Sequence, residues 1–354
     1  MIFVYILIGI LVFGVLIASH EFGHFITAKA CGVRVNEFSV GMGPAIWKKQ
    51  KGETLYALRW IPIGGYCAMA GEDSSSEDPR AFTNQAPWKR VIILCAGAAM
   101  NFLLGLLVIF LIYLSAWGFT VPVISGFMEG CPYESEEGLH AGDQVWSIDG
   151  HRIYNTDDLR TFLNRGGETY DIVVIRDGSK VKLEDFYMVK QVYDDPEVKY
   201  FGFNLDNAVE KATFGKRIQH TWDTAMQFSR MVWMGLGDLI HGEVEAKDLG
   251  GPVAIVDIMA ETGKQSESFG EAMQNILLFA AMIAVNLAIM NLLPIPALDG
   301  GRIFLLLVTC IIEAITKKKL DPKYEGYIHL VGMVLLLGLM AFVFYNDIVR
   351  IVTR

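Results

Sequence analysis

Basic residues are scarce in this chain. Its 354 residues hold 30 Lys and Arg against 39 Asp and Glu, a formal net charge of −9. Nucleic-acid binding needs a basic surface that displaces counterions from phosphates, so that class of function is excluded as an expectation. Cysteine is scarcer still. The five residues Cys31, Cys67, Cys95, Cys131 and Cys310 are dispersed and form no C-x-x-C pair, so neither a disulfide framework nor a thiolate zinc site is indicated. The first apolar run also lacks the basic flank of a secretory leader. A cut after Ala18 or Ser19 would sever it just before its polar cluster, so the segment is expected to be retained.

What the chain has in excess is apolar side chains, at 53%, above the roughly 45 to 50% of a soluble domain. Stretches near 2–30, 91–117, 273–293 and 327–349 are each long enough to cross a hydrocarbon core that needs about 20 helical residues. Lys and Arg close to the membrane ends orient these four spans. Arg34, Lys48, Lys49, Lys51, Arg59, Arg80, Lys89 and Arg90 lie between the first two, and Lys317, Lys318, Lys319 and Lys323 between the last two. Both connections are therefore expected on the cytoplasmic side, with both termini and the long segment 118–272 outside.

The expected fold is a polytopic α-helical membrane protein with a membrane-associated β region on the cytoplasmic side and an extracytoplasmic β-rich domain. Its parts are a first span at 1–33, a cytoplasmic loop and β region at 34–90, a second span at 91–117, a β domain at 118–205, an interfacial helix and linker at 206–272, a broken third span at 273–316, a loop at 317–326 and a last span at 327–354. In the cytoplasmic segment, "ETLYALRWIPIGGYCAMAG" reads as strand and turn, and Gly41, Gly43 and Pro44 suit a loop turning back toward the membrane. In the outer segment, short strands surround one helix that starts at Asp157-Asp158, and a hairpin turns at Asp177-Gly178. "GLHAGDQVWSIDGHRI" resembles the core of a PDZ domain. The helical pattern at 214–242 carries His220, Asp223, Gln227, Arg230 and Asp238, too many polar groups for a lipid-facing span, alongside Trp222, Phe228, Met231, Trp233 and Leu236. It reads as a helix lying in the membrane interface.

Two polar interruptions carry the chemistry. His20-Glu21-Phe22-Gly23-His24 sets two histidines four residues apart on one helical face, within reach of a single zinc ion, with a glutamate beside them. Ionisable groups inside an apolar helix are costly without a metal or partners. A catalytic zinc usually takes three protein ligands, and Asp299 is the only carboxylate between Glu271 and Glu313. It sits where Pro294, Pro296, Gly300 and Gly301 break the third span, and broken helices at membrane depth persist where they line a cavity or site.

These two segments, HEFGH and Asn291-Leu-Leu-Pro294-Ile-Pro296-Ala-Leu-Asp299-Gly300-Gly301, resemble the paired signatures of site-2 protease intramembrane zinc metalloproteases. The order of "SVGMG", "IPIGGYCAMAGED", "CAGAAMNF" and "GGPVAIV" around a PDZ-like insert resembles the bacterial branch that cleaves anti-sigma factors. The resemblance implies a bacterial inner-membrane, zinc-dependent endopeptidase, expected as a monomer in the bilayer, whose partners are single-span membrane proteins. It implies His20, His24 and Asp299 as zinc ligands, Glu21 as general base and Asn291 as a donor to the developing oxyanion. Gly41, Gly43, Leu55, Tyr56, Asn101, Pro294 and Pro296 are expected to contact substrate, with residues 53–61 forming the edge that pairs with an unwound substrate segment. Asn101 matches the second-span motif of relatives, whereas Ala98 stands where they commonly have proline. A secondary transporter would show repeats in its two halves, and none is visible. A catalytically inactive scaffold would keep the PDZ-like module without Glu21-dependent cleavage.

Overall fold

The computed structural model describes residues 2–72, 76–193, 199–243, 250–317 and 323–353. The stretch GEDSSSEDPR at 71–80, whose composition is that of a polar linker, and the loop at 317–326 therefore lie partly outside the described residues. In chain order the elements are α1 (Ile2–Ala30), β1 (Val35–Lys51), β2 (Thr54–Met69), α2 (Pro87–Leu114), β3 (Gly118–Phe127), β4 (Gln144–Ile148), β5 (His151–Arg152), α3 (Thr156–Arg165), β6 (Thr169–Arg176), β7 (Ser179–Tyr187), β8 (Gln191–Val192), β9 (Lys199–Tyr200), β10 (Phe203–Lys211), α4 (Phe214–His241), α5 (Pro252–Gln265), α6 (Phe269–Asn291), α7 (Asp299–Thr316) and α8 (Lys323–Thr353). They divide into two compact units, Met1–Ile112 with Phe228–Arg354, and Tyr113–Gln227.

In the first unit four helices are long and apolar enough to cross a membrane, at Leu7–Ala30, Pro87–Leu114, Phe269–Asn291 and Gly326–Val349. Many of their large apolar side chains point outward. Leu7, Leu11, Val15, Leu103, Leu107 and Leu111 are exposed, while α2 buries Gly97, Ala98, Asn101 and Gly105, and α6 buries Ala272, Ala280, Ala281, Ala284 and Ala288. Lipid tails are as apolar as leucine, so helices associate in a membrane through small residues that let backbones approach. A Cβ on Gly105 would lie 3.0 Å from Val285 and 3.2 Å from the Ala281 carbonyl oxygen, which measures how closely α2 meets α6. Among the described residues, no fifth helix is long and apolar enough to cross a membrane; α4 exposes Phe214, Ile218, Trp222, Met231 and Trp233 along its length.

Strands β1 and β2 form more than a hairpin. Residues 45–51 pair with 54–59, from Ala45↔Arg59 to Lys51↔Thr54, but Glu37, Phe38 and Ser39 each have two partners, Leu55 and Ala68, Tyr56 and Cys67, Ala57 and Tyr66. Each long strand is bent, and the pair makes a four-ply sheet in the order 45–51, 54–59, 35–42, 65–69. The doubling back needs left-handed backbone, supplied by Gly41 at φ 85°, Gly43 at 82° and Gly64 at 94°. A Cβ on Gly41 would come within 2.6 Å of the Ile61 carbonyl oxygen. This corrects the expectation that 53–61 is the edge. Leu55 and Tyr56 have backbone neighbours on both sides, and the edges are 45–51 and 65–69.

The second unit has the ordinary arrangement of a domain folded in water. Its sheet runs β10-β3-β4-β6-β7, with β5 on β4, over a core of Ile124, Val145, Ile148, Leu159, Leu163, Tyr170, Ile172 and Val174. Asp177 and Gly178 turn the β6–β7 hairpin with φ of 49° and 80°, the signature of a type I′ turn. Helix α3 starts where the Asn155 side chain accepts from Asp158 N–H. Asp143, fully buried, takes two hydrogen bonds from Arg176, Nε at 2.8 Å and Nη2 at 2.7 Å. Strand β10 carries the sheet on to Lys211, beyond the expected end at 205. In the first unit, residues 252–265, expected as linker, form α5. Its first turn is capped by α8, where Asp347 accepts from Gly251 N–H and Ala254 N–H, each at 3.1 Å.

Candidate metal centre

Helical spacing brings His20 and His24 to one face of α1 with their Nε2 atoms 3.1 Å apart. The third group arrives from a different element. Helix α6 ends at Asn291, residues 292–298 form a tight turn, and α7 opens with Asp299, whose Oδ2 lies 3.1 Å from His20 Nε2 and 3.3 Å from His24 Nε2. His24 Nδ1–H donates to the Ile93 carbonyl at 2.8 Å, so whenever the ring is neutral its lone pair is on Nε2, facing the aspartate.

This constellation suits a cation. Asp299 Oδ2 is buried without a hydrogen-bond donor among the described residues, although two imidazole nitrogens crowd it. Tetrahedral zinc with bonds of about 2.0 to 2.1 Å holds its ligand atoms about 3.3 Å apart. The observed separations of 3.1, 3.1 and 3.3 Å match that spacing, and two nitrogens with one oxygen are a donor set zinc accepts.

Close packing by α2 holds the histidines in place. A Cβ on Gly97 would collide with the His24 ring and lie 2.7 Å from His20 Cε1, and one on Gly23 would collide with the Ala96 carbonyl. Only glycine lets these helices meet here. The Glu21 carboxylate lies beside the backbone of Cys67, in the 65–69 edge of the four-ply sheet. Glu21, both histidines, Asn291 and Asp299 all line one cavity of 680 Å³, together with Tyr66, Cys67, Ala68 and Met69 of that edge and with Glu72 and Arg302.

Of the residues singled out from the sequence, His20, Glu21, His24, Asn291 and Asp299 thus converge. Gly41, Gly43, Leu55, Tyr56, Asn101, Pro294 and Pro296 do not line the cavity. The glycines serve the bends of the sheet, and Asn101, one turn beyond Gly97, is buried in the helix packing at 1% exposure. Pro294 and Pro296 shape the turn before Asp299. Sequence reasoning missed Tyr66, Cys67, Glu72 and Arg302. Arg302 could have been found, being one helical turn beyond Asp299.

The model of peptidase family M50 matches residues 8–339. The chain belongs to peptidase family M50. It is 34% identical over 346 residues to a candidate zinc metalloprotease of Clostridium perfringens, covering 98% of each chain. It is 34% identical over 351 residues to another of Clostridium acetobutylicum, covering 97% of each, and 30% identical to the zinc metalloprotease RasP of Oceanobacillus iheyensis, covering 97% of this chain and 98% of RasP. This M50 member is a membrane protein and a zinc metalloendopeptidase of the site-2 protease type, as the paired motifs implied.

Proposed function

We propose that this M50 peptidase cleaves transmembrane segments of single-span membrane proteins, with His20, His24 and Asp299 as zinc ligands and Glu21 as general base. The observation that carries the reading is one cavity shared by three converging ligand atoms, a carboxylate and the edge of a β-sheet. Zinc held there supplies Lewis acidity, lowering the pKa of water toward 7 and polarising the scissile carbonyl.

The chain's own residues do the rest. Glu21 takes a proton from water and passes it to the leaving amine, beside the edge strand that lines the same cavity. Asn291 donates to the oxygen that gains charge as water adds to the carbonyl. A substrate helix must unwind before its carbonyl is accessible, and its freed N–H and C=O groups cannot stay unpaired in an apolar setting. Residues 65–69 offer those groups a pairing edge along the cavity.

In the proposed topology the positive loops lie in the cytoplasm of a bacterial cell, and the β unit and both termini lie outside. The β unit acts as a PDZ-like selector. Its groove of 540 Å³ between α3 and β10 is lined by Leu163, Phe201, Phe203 and Leu205 with Arg160, Lys190 and Lys199, which fits an apolar peptide end bearing a carboxylate.

The test is a substrate trap. Glu21→Gln keeps size and both histidines, so zinc content and crosslinking to an intact single-span protein should match wild type, while cleavage falls by about 10²- to 10⁴-fold. Cleavage near the wild-type rate would remove Glu21 from the mechanism.

A further inference from the structure

The first turn of α7 must hold Asp299 within tenths of an ångström, yet the helix begins without a side-chain cap on its N-terminal residue Leu298. Part of the restraint is backbone fit. A Cβ on Gly300 would collide with the carbonyls of Leu292 and Leu293, and one on Gly301 with that of Ile295, so the turn folds tightly against α7. On the other side, Ile303 of α7 packs against the apolar cluster that includes Cys67 and Met69 of the edge strand, a contact that carries little directional restraint.

An ion pair adds the directional contact. The Arg302 guanidinium, one turn along α7 from Asp299, bonds to Glu72 Oε1, and Glu72 Oε2 accepts from Met69 N–H at 3.3 Å. Met69 is the last residue of the edge strand. Both side chains line the cavity that holds the ligand cluster, and both are largely shielded, at 18% exposure for Glu72 and 29% for Arg302. A cation near the N-terminus of a helix opposes the helix dipole, so the guanidinium is poorly placed unless a carboxylate meets it. Glu72 does so from the opposite wall.

We propose that Glu72 and Arg302 are a positioning pair, which clamps the first turn of α7 to the edge strand and so holds Asp299 at the metal point while fixing its distance from bound substrate. Neither touches the reacting atoms. The pair works through Asp299, and the inference rests on the reading of Asp299 as a ligand. Partners that orient a metal ligand typically change metal affinity by about 10- to 100-fold when removed.

The experiment uses the full chain in detergent or nanodiscs, loaded with zinc and challenged with a chelator. Glu72→Gln and Arg302→Gln should each release zinc about tenfold or more faster than wild type, and kcat should fall while KM changes little. The zinc-free proteins should melt at the wild-type temperature. Exchanging the charges, Glu72→Arg with Arg302→Glu, should recover much of the slow release, and Arg302→Lys should lie between. Zinc release at the wild-type rate in both single variants would overturn the proposal, as would an equal loss of stability in the zinc-free proteins, which marks a general staple. If a Gln variant does not fold, Arg302→Lys decides by the same two readings. Asp299→Ala separates the premise. Full zinc retention there would refute the ligand reading itself, whatever the pair does.

Discussion

The two compact units differ most in what they put outward and in how small their buried side chains can be. The β unit hides Ile124, Leu159, Tyr170 and Val174 and, apart from groups such as the buried Asp143, shows most of its charges to solvent. The helical unit shows Leu7, Leu11, Leu107 and Leu335 to its surroundings and hides His24, Asn101, Gly97 and Ala98. One chain thus obeys one rule twice, each time putting outward whatever its solvent accepts. In the lipid-facing unit the interior is free for chemistry, because small residues and glycines leave room for a polar cluster that a packed aliphatic core would not admit.

Substitutions can break this comparison. The largest effect is expected where the helical unit has no spare volume. Gly97→Val places a branched side chain against the His20 and His24 rings, and zinc content and activity should both fall to background; overpacking alone typically costs about 1 to 3 kcal/mol. Full zinc loading would show that α2 can move aside. In the β unit the opposite change should hurt. Leu159→Ala removes a side chain that is 1% exposed, and should cost about 2 to 5 kcal/mol of that unit's stability. Zinc content should stay at wild type, because no proposed ligand lies in Tyr113–Gln227. Loss of zinc together with the β unit would mean that the two do not fold independently.

The smallest effect belongs to the exposed rim of the helical unit. Glu53 accepts from both terminal nitrogens of Arg80, Nη1 and Nη2, and from Lys29 Nζ, each at 2.7 Å. These cations, Arg80 first, hold its carboxyl down at about 2 against an ordinary 4.5. The stabilisation is therefore present above pH 4.5 and is lost as pH falls through 2. Wild type and Glu53→Gln should differ slightly in melting temperature at neutral pH and converge as pH approaches 2. A gap that widens in acid would contradict the pairing.

The spans and the metal cluster were legible in the sequence because each rests on a local rule. Twenty apolar residues make a span, and i, i+4 spacing joins His20 to His24. Asp299 was legible by elimination, as the lone carboxylate in a broken helix. The edge strand was not. Residues 53–61 have the composition of a strand, but whether a strand is edge or interior depends on partners, and Glu37 pairing with both Leu55 and Ala68 cannot be read from periodicity. The Glu72–Arg302 contact joins residues 230 positions apart, with only the step from Asp299 to Arg302 local. Helix α5 escaped notice because its packing against α1, where Gly9 meets Met259 and Val256, outweighs a weak pattern.

The most direct test of the centre is zinc-edge X-ray absorption on the purified chain, with Asp299→Ala beside it. Wild type should show about one zinc bound by nitrogen and oxygen at about 2.0 to 2.1 Å, with imidazole scattering from two histidines and no sulfur, and Asp299→Ala should lose the ion or an oxygen neighbour. Sulfur at about 2.3 Å, which would point to Cys67 or Cys95, or an unchanged spectrum in Asp299→Ala, would contradict the assignment of His20, His24 and Asp299 as the metal centre.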